Sequence, residues 1–184
     1  MRAVVLPGDD AATPTTPAEA QLRNRISKAS MAGNQTVVRV NGVAAQRQAL
    51  DAYAEMLPTY GGNRRYRIEA SQLPAPEEQK RIGEMGIVVA DPATDKADPF
   101  YAMQRAVLAG RGPQQALKDV TTGPAYAAFA EDRLGTLEPG KWADFILVDS
   151  DMLAGGAGNA PPQVLETWVG GKRVFVKRVT LQAQ

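Results

Sequence analysis

Short β-branched runs alternate with helical segments through the middle of the chain, and this alternation constrains the fold more than any other feature. Residues 35–40, QTVVRV, have the composition of a strand, and residues 65–69 and 86–90 predict two more. The helix after the first of these strands ends at Pro58. Its predicted inward side chains are Val43, Leu50, Tyr53, Ala54 and Leu57. Strands that alternate with helices over short connections build a parallel α/β sheet.

The chain on either side of this region also shows clear element signals. Residues 3–6 predict a short strand, and residues 16–19 have the form of a capping box that opens a helix ending near Gly33. After residue 98 the spacing of apolar side chains predicts three packing helices. The last fifty residues are predicted to form strands, including a hairpin whose turn is Gly170-Gly171.

Composition excludes several classes of function. The 184 residues include 21 lysines and arginines and 20 acidic residues, so the charges nearly cancel. The chain therefore has no electrostatic field that would attract nucleic acid or a membrane surface. No run approaches the roughly 20 apolar residues that cross a bilayer. Cysteine is absent, which excludes disulfides and favours a cytoplasmic location. Histidine is absent too, and with it the commonest metal ligand and general base.

Several segments together resemble the YtcJ-like branch of the amidohydrolase superfamily. They are VNGVAAQRQALDAY, RYRIEASQ, DPFYAMQRAV, DRLGTLEPGKWADFILVDSD and VLETWVGGKRVF. They occur in the family's order from about Thr16 to Phe175, with one block missing between Val89 and Asp98. The resemblance implies an α/β fold: half of a TIM barrel of parallel strand–helix units in residues 1–134, and a small C-terminal β element in residues 135–184. It also implies descent from enzymes that hydrolyse C–N bonds with one or two divalent metals such as zinc.

The sequence departs from this family at the metal-binding positions. Arg39 occupies the position of the histidine that ends the family's fifth barrel strand, and Tyr66 and Ala70 occupy the histidine positions of the sixth. Asp91 or Asp95 is the candidate remnant of the catalytic aspartate. A catalytic zinc needs about three protein ligands, so we expect no metal site and no resident cofactor.

Four residues are candidates for catalysis and two for ligand binding. Glu69 is a candidate general base, although an ion pair with a neighbouring arginine is the simpler interpretation. Tyr66 is a candidate proton donor, with a packed core tyrosine as the alternative. Asp91 and Asp95 complete the catalytic set. The ligand-binding candidates are Arg39 and Asn41, for a carboxylate or phosphate; the alternatives are a surface charge and a helix cap.

Three functional hypotheses follow. The favoured one is a fold remnant, or an engineered or computationally generated chain, without metal-dependent hydrolysis. The alternatives are a weak hydrolase of small-molecule amides or esters, completed by self-association, and a small-anion binding protein. In every case a half barrel with open sheet edges and an unpartnered hairpin predicts a homo-oligomer.

Overall fold

The computed structural model describes residues 3–7, 16–70, 74–90, 98–153 and 161–178, and only the backbone of residues 3–7 and 16–18. The chain divides into two compact units, Met1–Asp95 and Lys96–Gln184. The boundary predicted from sequence, between residues 134 and 135, marks the change from helices to strands inside the second unit and stays a prediction. Within the described residues, no helix is both long enough and apolar enough to cross a bilayer. The cytoplasmic location also stays a prediction.

The first unit is a parallel sheet with a helix after each of its first three strands. The elements are β1 (Ala3–Pro7), α1 (Thr16–Met31), β2 (Gln35–Val40), α2 (Val43–Met56), β3 (Arg67–Ala70), α3 (Pro76–Met85) and β4 (Val88–Ala90). The strands lie side by side in chain order, and every neighbouring pair is parallel. This is the predicted strand–helix repeat. The described strands do not close into a barrel, which agrees with a partial TIM barrel.

Glycine and proline set the ends of these helices as the sequence predicts. Gly33, at φ +74°, follows the end of α1. Helix α3 opens on Pro76 with acidic residues in its first turn, and it ends at Gly86 in the left-handed conformation. Proline fits the first helical position because its missing N–H has no partner there, and glycine adopts positive φ without a steric penalty.

One face of the parallel sheet packs against all three helices. The strand side chains on this face include Val38, Val40, Ile68 and Ala70. The helix side chains that meet them include Ile26, Ala49, Leu50, Tyr53 and Ile82. Two of the predicted inward residues of α2 are in fact exposed: Val43 is 50% accessible, and Ala54 also lies at the surface. The alanines at 45, 49 and 52 are buried instead, because small side chains let α2 approach its neighbours closely.

The other face of the sheet is the side that faces inward in a barrel. Strand side chains alternate between faces, so Val37, Arg39, Arg67 and Glu69 lie opposite the helix-covered core. The register aligns Val37 with Arg67 and Arg39 with Glu69. This face therefore holds a charged cluster next to the carboxyl ends of β2 and β3.

The second unit combines three helices with a small antiparallel sheet. Its elements are α4 (Pro99–Leu108), α5 (Pro113–Val120), α6 (Thr122–Ala127), β5 (Phe145–Val148), β6 (Val164–Val169) and β7 (Lys172–Val176). The sheet order is β5-β6-β7, and both pairs are antiparallel. Gly170 and Gly171, both at positive φ, form the predicted hairpin turn. The indole of Trp168 stacks on Phe145 across the β5–β6 pair, with ring centroids 5.5 Å apart.

Candidate functional site at the carboxyl edge of the parallel sheet

An arginine and a glutamate face each other where β2 and β3 end. Arg39 and Glu69 are register partners, each one residue before the last residue of its strand. The Nε and Nη2 atoms of Arg39 both donate to Oε2 of Glu69, at 3.0 and 2.9 Å. Parallel pairing produces this contact because it aligns the carboxyl ends of neighbouring strands on one edge.

A second arginine completes the cluster. Arg67 lies two residues before Glu69 on the same strand face, and its Nη2 donates to Oε1 of Glu69 at 2.9 Å. The Glu69 side chain is 6% exposed, while those of Arg39 and Arg67 are 49% and 24% exposed. Two guanidinium groups therefore share one nearly buried carboxylate, and the three side chains together have a net charge of +1. We call these residues the Arg39–Glu69–Arg67 cluster.

The carboxylate of Glu69 has its acceptor sites engaged on both oxygens. Charge-assisted hydrogen bonds of this kind are about twice as strong as neutral ones, so the two arginines hold the carboxylate firmly in place. The geometry is that of the ion pair given above as the simpler interpretation. The role of Glu69 as a general base stays a prediction.

Tyr66 lies away from this cluster. Its side chain is part of the helix-covered core, where its ring stacks on Tyr53 with centroids 4.7 Å apart and planes 11° from parallel. Its hydroxyl forms a hydrogen bond with Oγ of Ser30 at 2.9 Å. The structure thus shows a packed tyrosine and does not bring Tyr66 together with Glu69. Ala70 belongs to the same apolar core.

Of the remaining predicted residues, the structure describes only Asn41, which lies at the same edge. Asn41 is exposed and directly follows β2. Gly42 then caps α2 without a side-chain hydrogen bond. Asp91 and Asp95, the candidates for a catalytic aspartate, lie outside the described residues. Asp91 follows Ala90 directly in the chain, and Ala90 is the register partner of Glu69 on β4.

Tyr53 supports the cluster from the opposite face of the sheet. Its hydroxyl lies 3.1 Å from the carbonyl oxygen of Thr36 and 3.0 Å from that of Arg67, and it accepts from Oγ1 of Thr36 at 3.3 Å. Burial raises the pKa of Tyr53 well above the usual tyrosine value. One neutral hydroxyl from α2 therefore ties together the backbones of β2 and β3 close to the cluster.

Sequence reasoning assigned Arg39 and Glu69 to different roles and did not make Arg67 a member of the site. Alternation was the signal that could have joined them, since residues 67 and 69 share a face of β3. The pairing of residue 39 with residue 69 needed the strand register, which local sequence does not specify.

The described side chains at this edge do not fit a divalent cation. Within the described residues, no three histidine, cysteine, aspartate or glutamate side chains are grouped so that they could hold a metal. The one carboxylate in the cluster already binds two guanidinium groups, whose positive charges oppose a cation. A hard ion prefers several oxygen ligands, and this cluster offers a single engaged carboxylate.

Comparison with known sequences and structures identifies related proteins. A profile described as amidohydrolase family matches residues 90–175, from the end of β4 into β7. This match covers just under half of the chain and lies outside the Arg39–Glu69–Arg67 cluster. Protein LONG AFTER FAR-RED 3 of Arabidopsis thaliana is 26% identical over 212 aligned positions, which cover 84% of this chain and 36% of that protein.

Solved structures share the fold over most of the chain. An amidohydrolase from Thermotoga maritima is 17% identical with a TM-score of 0.61, covering 95% of this chain and 44% of its own. A metal-dependent hydrolase from Pyrococcus horikoshii is 20% identical with a TM-score of 0.59, covering 85% and 43%. A prolidase solved with N-methylphosphonate-L-proline is 15% identical with a TM-score of 0.57, covering 92% and 53%. The chain therefore spans between 36% and 53% of the length of these relatives.

Proposed function

We propose that this chain, whose residues 90–175 match the amidohydrolase family profile, has an amidohydrolase-like fold without metal-dependent hydrolase activity of its own. The observation that supports the proposal is the Arg39–Glu69–Arg67 cluster. Two guanidinium groups occupy the carboxyl edge of β2 and β3 and bind the carboxylate of Glu69 on both oxygens. The carboxyl edge is where TIM-barrel enzymes place their chemistry.

The ancestral reaction depends on a cation that this edge repels. A catalytic metal lowers the pKa of its bound water from about 16 to about 7, and it needs about three protein ligands and an open position. Arg39 brings a permanent positive charge to this edge, because guanidinium groups stay protonated in proteins. Without the cation, the hydrolysis of an unactivated amide lacks both the activated water and the Lewis acid that polarises the carbonyl group.

A hydrolysis assay tests this proposal. The purified chain is incubated with a panel of N-acyl amino acids and p-nitrophenyl esters, with and without added zinc or manganese. We expect release of product no faster than with the metal salt alone. Turnover that needs the protein, rises with metal and stops with a chelator would overturn the proposal.

A hydrolase function is the second candidate, and the neighbours named as hydrolases favour it. In this case Glu69, with Asp91 or Asp95 or with ligands from a partner chain, performs the chemistry of C–N or ester cleavage. Glu69→Gln keeps the shape of the side chain and removes the basic carboxylate, so it must abolish any activity seen. An unchanged rate in this variant would exclude the assignment of Glu69.

The partner that fits the parallel sheet is a second copy of the chain. Among the described strands, β1 pairs only with β2 and β4 pairs only with β3, so each outer edge has unpaired backbone groups. Four parallel strands with their helices on one face are half of the eight-stranded TIM barrel. Two copies related by a twofold axis would pair both edges and leave none open. Light scattering coupled to size exclusion should give the mass of a dimer, and a compact monomer would contradict this proposal.

A further inference from the structure

We infer that the Arg39–Glu69–Arg67 cluster is a binding site for a small oxyanion, with a carboxylate or phosphate group as the ligand. This inference goes beyond the proposed function, because it does not depend on whether the chain hydrolyses anything. It rests on three features of the cluster: its excess charge, its unused donors and its position.

The first feature is the charge. Among the described residues, two arginines and one glutamate leave one positive charge uncompensated, and the side chain of Arg39 is half exposed. A second cluster in the same unit shows that excess charge is not a general property of buried glutamates here. Glu78 is equally buried and binds Arg47 and Arg81, but Asp51 also binds Arg81, so that group of four is neutral.

The second feature is a donor without an acceptor. The Nε atom of Arg67 is buried and has no hydrogen-bond partner within the described part of the chain. A buried donor left unsatisfied destabilises the fold, so its presence needs an explanation. About a quarter of the Arg67 side chain is exposed, but Nε itself is buried, so a ligand binds this donor only after the side chain turns toward solvent.

The third feature is position and geometry. Ligands of parallel α/β sheets bind beyond the carboxyl ends of the strands, and Arg39 lies one residue from the end of β2. A guanidinium group presents its N–H donors in a fixed plane that matches a carboxylate or phosphate with two parallel hydrogen bonds. Glu69 is itself such a carboxylate, bound by both arginines. An external oxyanion would accept hydrogen bonds from the arginine N–H groups that do not bind Glu69.

The test is the melting temperature of the metal-free chain in the presence of anions. Sodium phosphate and sodium succinate are compared with sodium chloride at equal ionic strength and pH 7, in the presence of a chelator. An anion at about ten times its Kd should raise the melting temperature by about 3–6 °C. A shift with phosphate alone identifies a phosphate site, a shift with succinate alone a carboxylate site, and a shift with both an oxyanion site of either kind.

Variants separate specific binding from a general salt effect. Arg39→Ala should remove the anion-induced shift, and Arg39→Lys should weaken it several-fold because lysine keeps the charge but loses the planar pair of donors. Glu69→Gln should enlarge the shift, since it removes the competing carboxylate. Arg47→Ala is the matched control: Arg47 is also half exposed and also pairs with a buried glutamate, and its loss should leave the shift intact.

Two results would overturn the inference. One is the absence of any shift with either anion at concentrations up to about 100 mM, which is where a site of millimolar affinity saturates. The other is an equal shift in Arg39→Ala and in the unaltered chain. Neither result depends on the hydrolysis assay, so the oxyanion site and the proposed function can fail separately.

Discussion

Replacement of Glu69 should destabilise the first unit far more than replacement of an exposed glutamate. The carboxylate of Glu69 accepts three N–H donors from two arginines, and its side chain is 6% exposed. Glu69→Gln keeps the volume but removes the charge and turns an amide N–H₂ toward a guanidinium. Two positive charges then lie next to each other without their anion.

The size of the effect follows from the exposure of the two partners. Removal of one member of a fully buried ion pair destabilises a protein by about 3–5 kcal/mol, whereas an exposed pair contributes about 0–1 kcal/mol. Glu69 is buried, but the guanidinium groups of Arg39 and Arg67 can turn partly into water. We therefore expect a loss of about 2–3 kcal/mol in the free energy of unfolding for Glu69→Gln.

Urea unfolding followed by two probes measures this loss and assigns it to a unit. Both tryptophans, Trp142 and Trp168, lie in the second unit, so their fluorescence reports that unit, and circular dichroism reports both. Glu69→Gln should lower the midpoint seen by circular dichroism and leave the fluorescence transition in place if the units unfold separately. Glu84→Gln is the control, because Glu84 is 64% exposed and lies 3.8 Å from Lys80. If Glu69→Gln lowers the free energy of unfolding by an amount within about 0.5 kcal/mol of the control, the buried ion pairs of Glu69 do not stabilise the first unit as expected.

Three further substitutions test other parts of the fold. Gly135→Ala should destabilise the second unit by about 1–3 kcal/mol more than Gly140→Ala. Both glycines have φ near +95°, but of the two only Gly135 has a close neighbour: a Cβ there would lie 2.9 Å from Cβ of Ala125. Equal losses of stability in urea unfolding would contradict this prediction. Tyr53→Phe should reduce the loss of stability at alkaline pH, because burial raises the pKa of Tyr53 in the folded chain. The contribution of Tyr53 to the free energy of unfolding is complete below about pH 10 and falls by about 1.4 kcal/mol per pH unit above it. An identical pH dependence of stability in the variant would contradict this prediction. Glu78→Gln should destabilise the first unit by more than about 1 kcal/mol, because the Glu78 side chain is 4% exposed and forms ion pairs with two arginines. A loss of stability equal to that of Glu84→Gln would contradict this prediction.

Local sequence predicted most of the elements of this fold. The strand at residues 35–40 has the predicted bounds, and the hairpin turn at Gly170-Gly171 and the glycine stop at Gly33 lie where the sequence places them. These features depend on side-chain branching and on backbone conformations that a few neighbouring residues determine. The parallel order of β1 to β4 followed from the alternation of strands and helices.

The composition of the candidate site could be predicted only in part. Sequence alone pointed to Arg39 and Glu69, but their contact depends on the register between β2 and β3, which is set by packing across the whole sheet. Tyr66 was a candidate because of its place in the chain, and the structure places it in the core against Tyr53. Alternation extended back from β3 places Tyr66 on the face of Ile68, opposite Glu69, so the pattern itself favoured a packed tyrosine.

Metal content per chain shows whether the arginine-bound carboxylate of Glu69 leaves the carboxyl edge of β2 and β3 without a bound metal ion. The chain is purified from culture supplemented with zinc and manganese, desalted, and its metal is measured by mass spectrometry against protein concentration. We expect background metal, far below one ion per chain, in both the unaltered chain and Glu84→Gln. Near-stoichiometric zinc or manganese that survives desalting would contradict this expectation and would make the hydrolase the leading function.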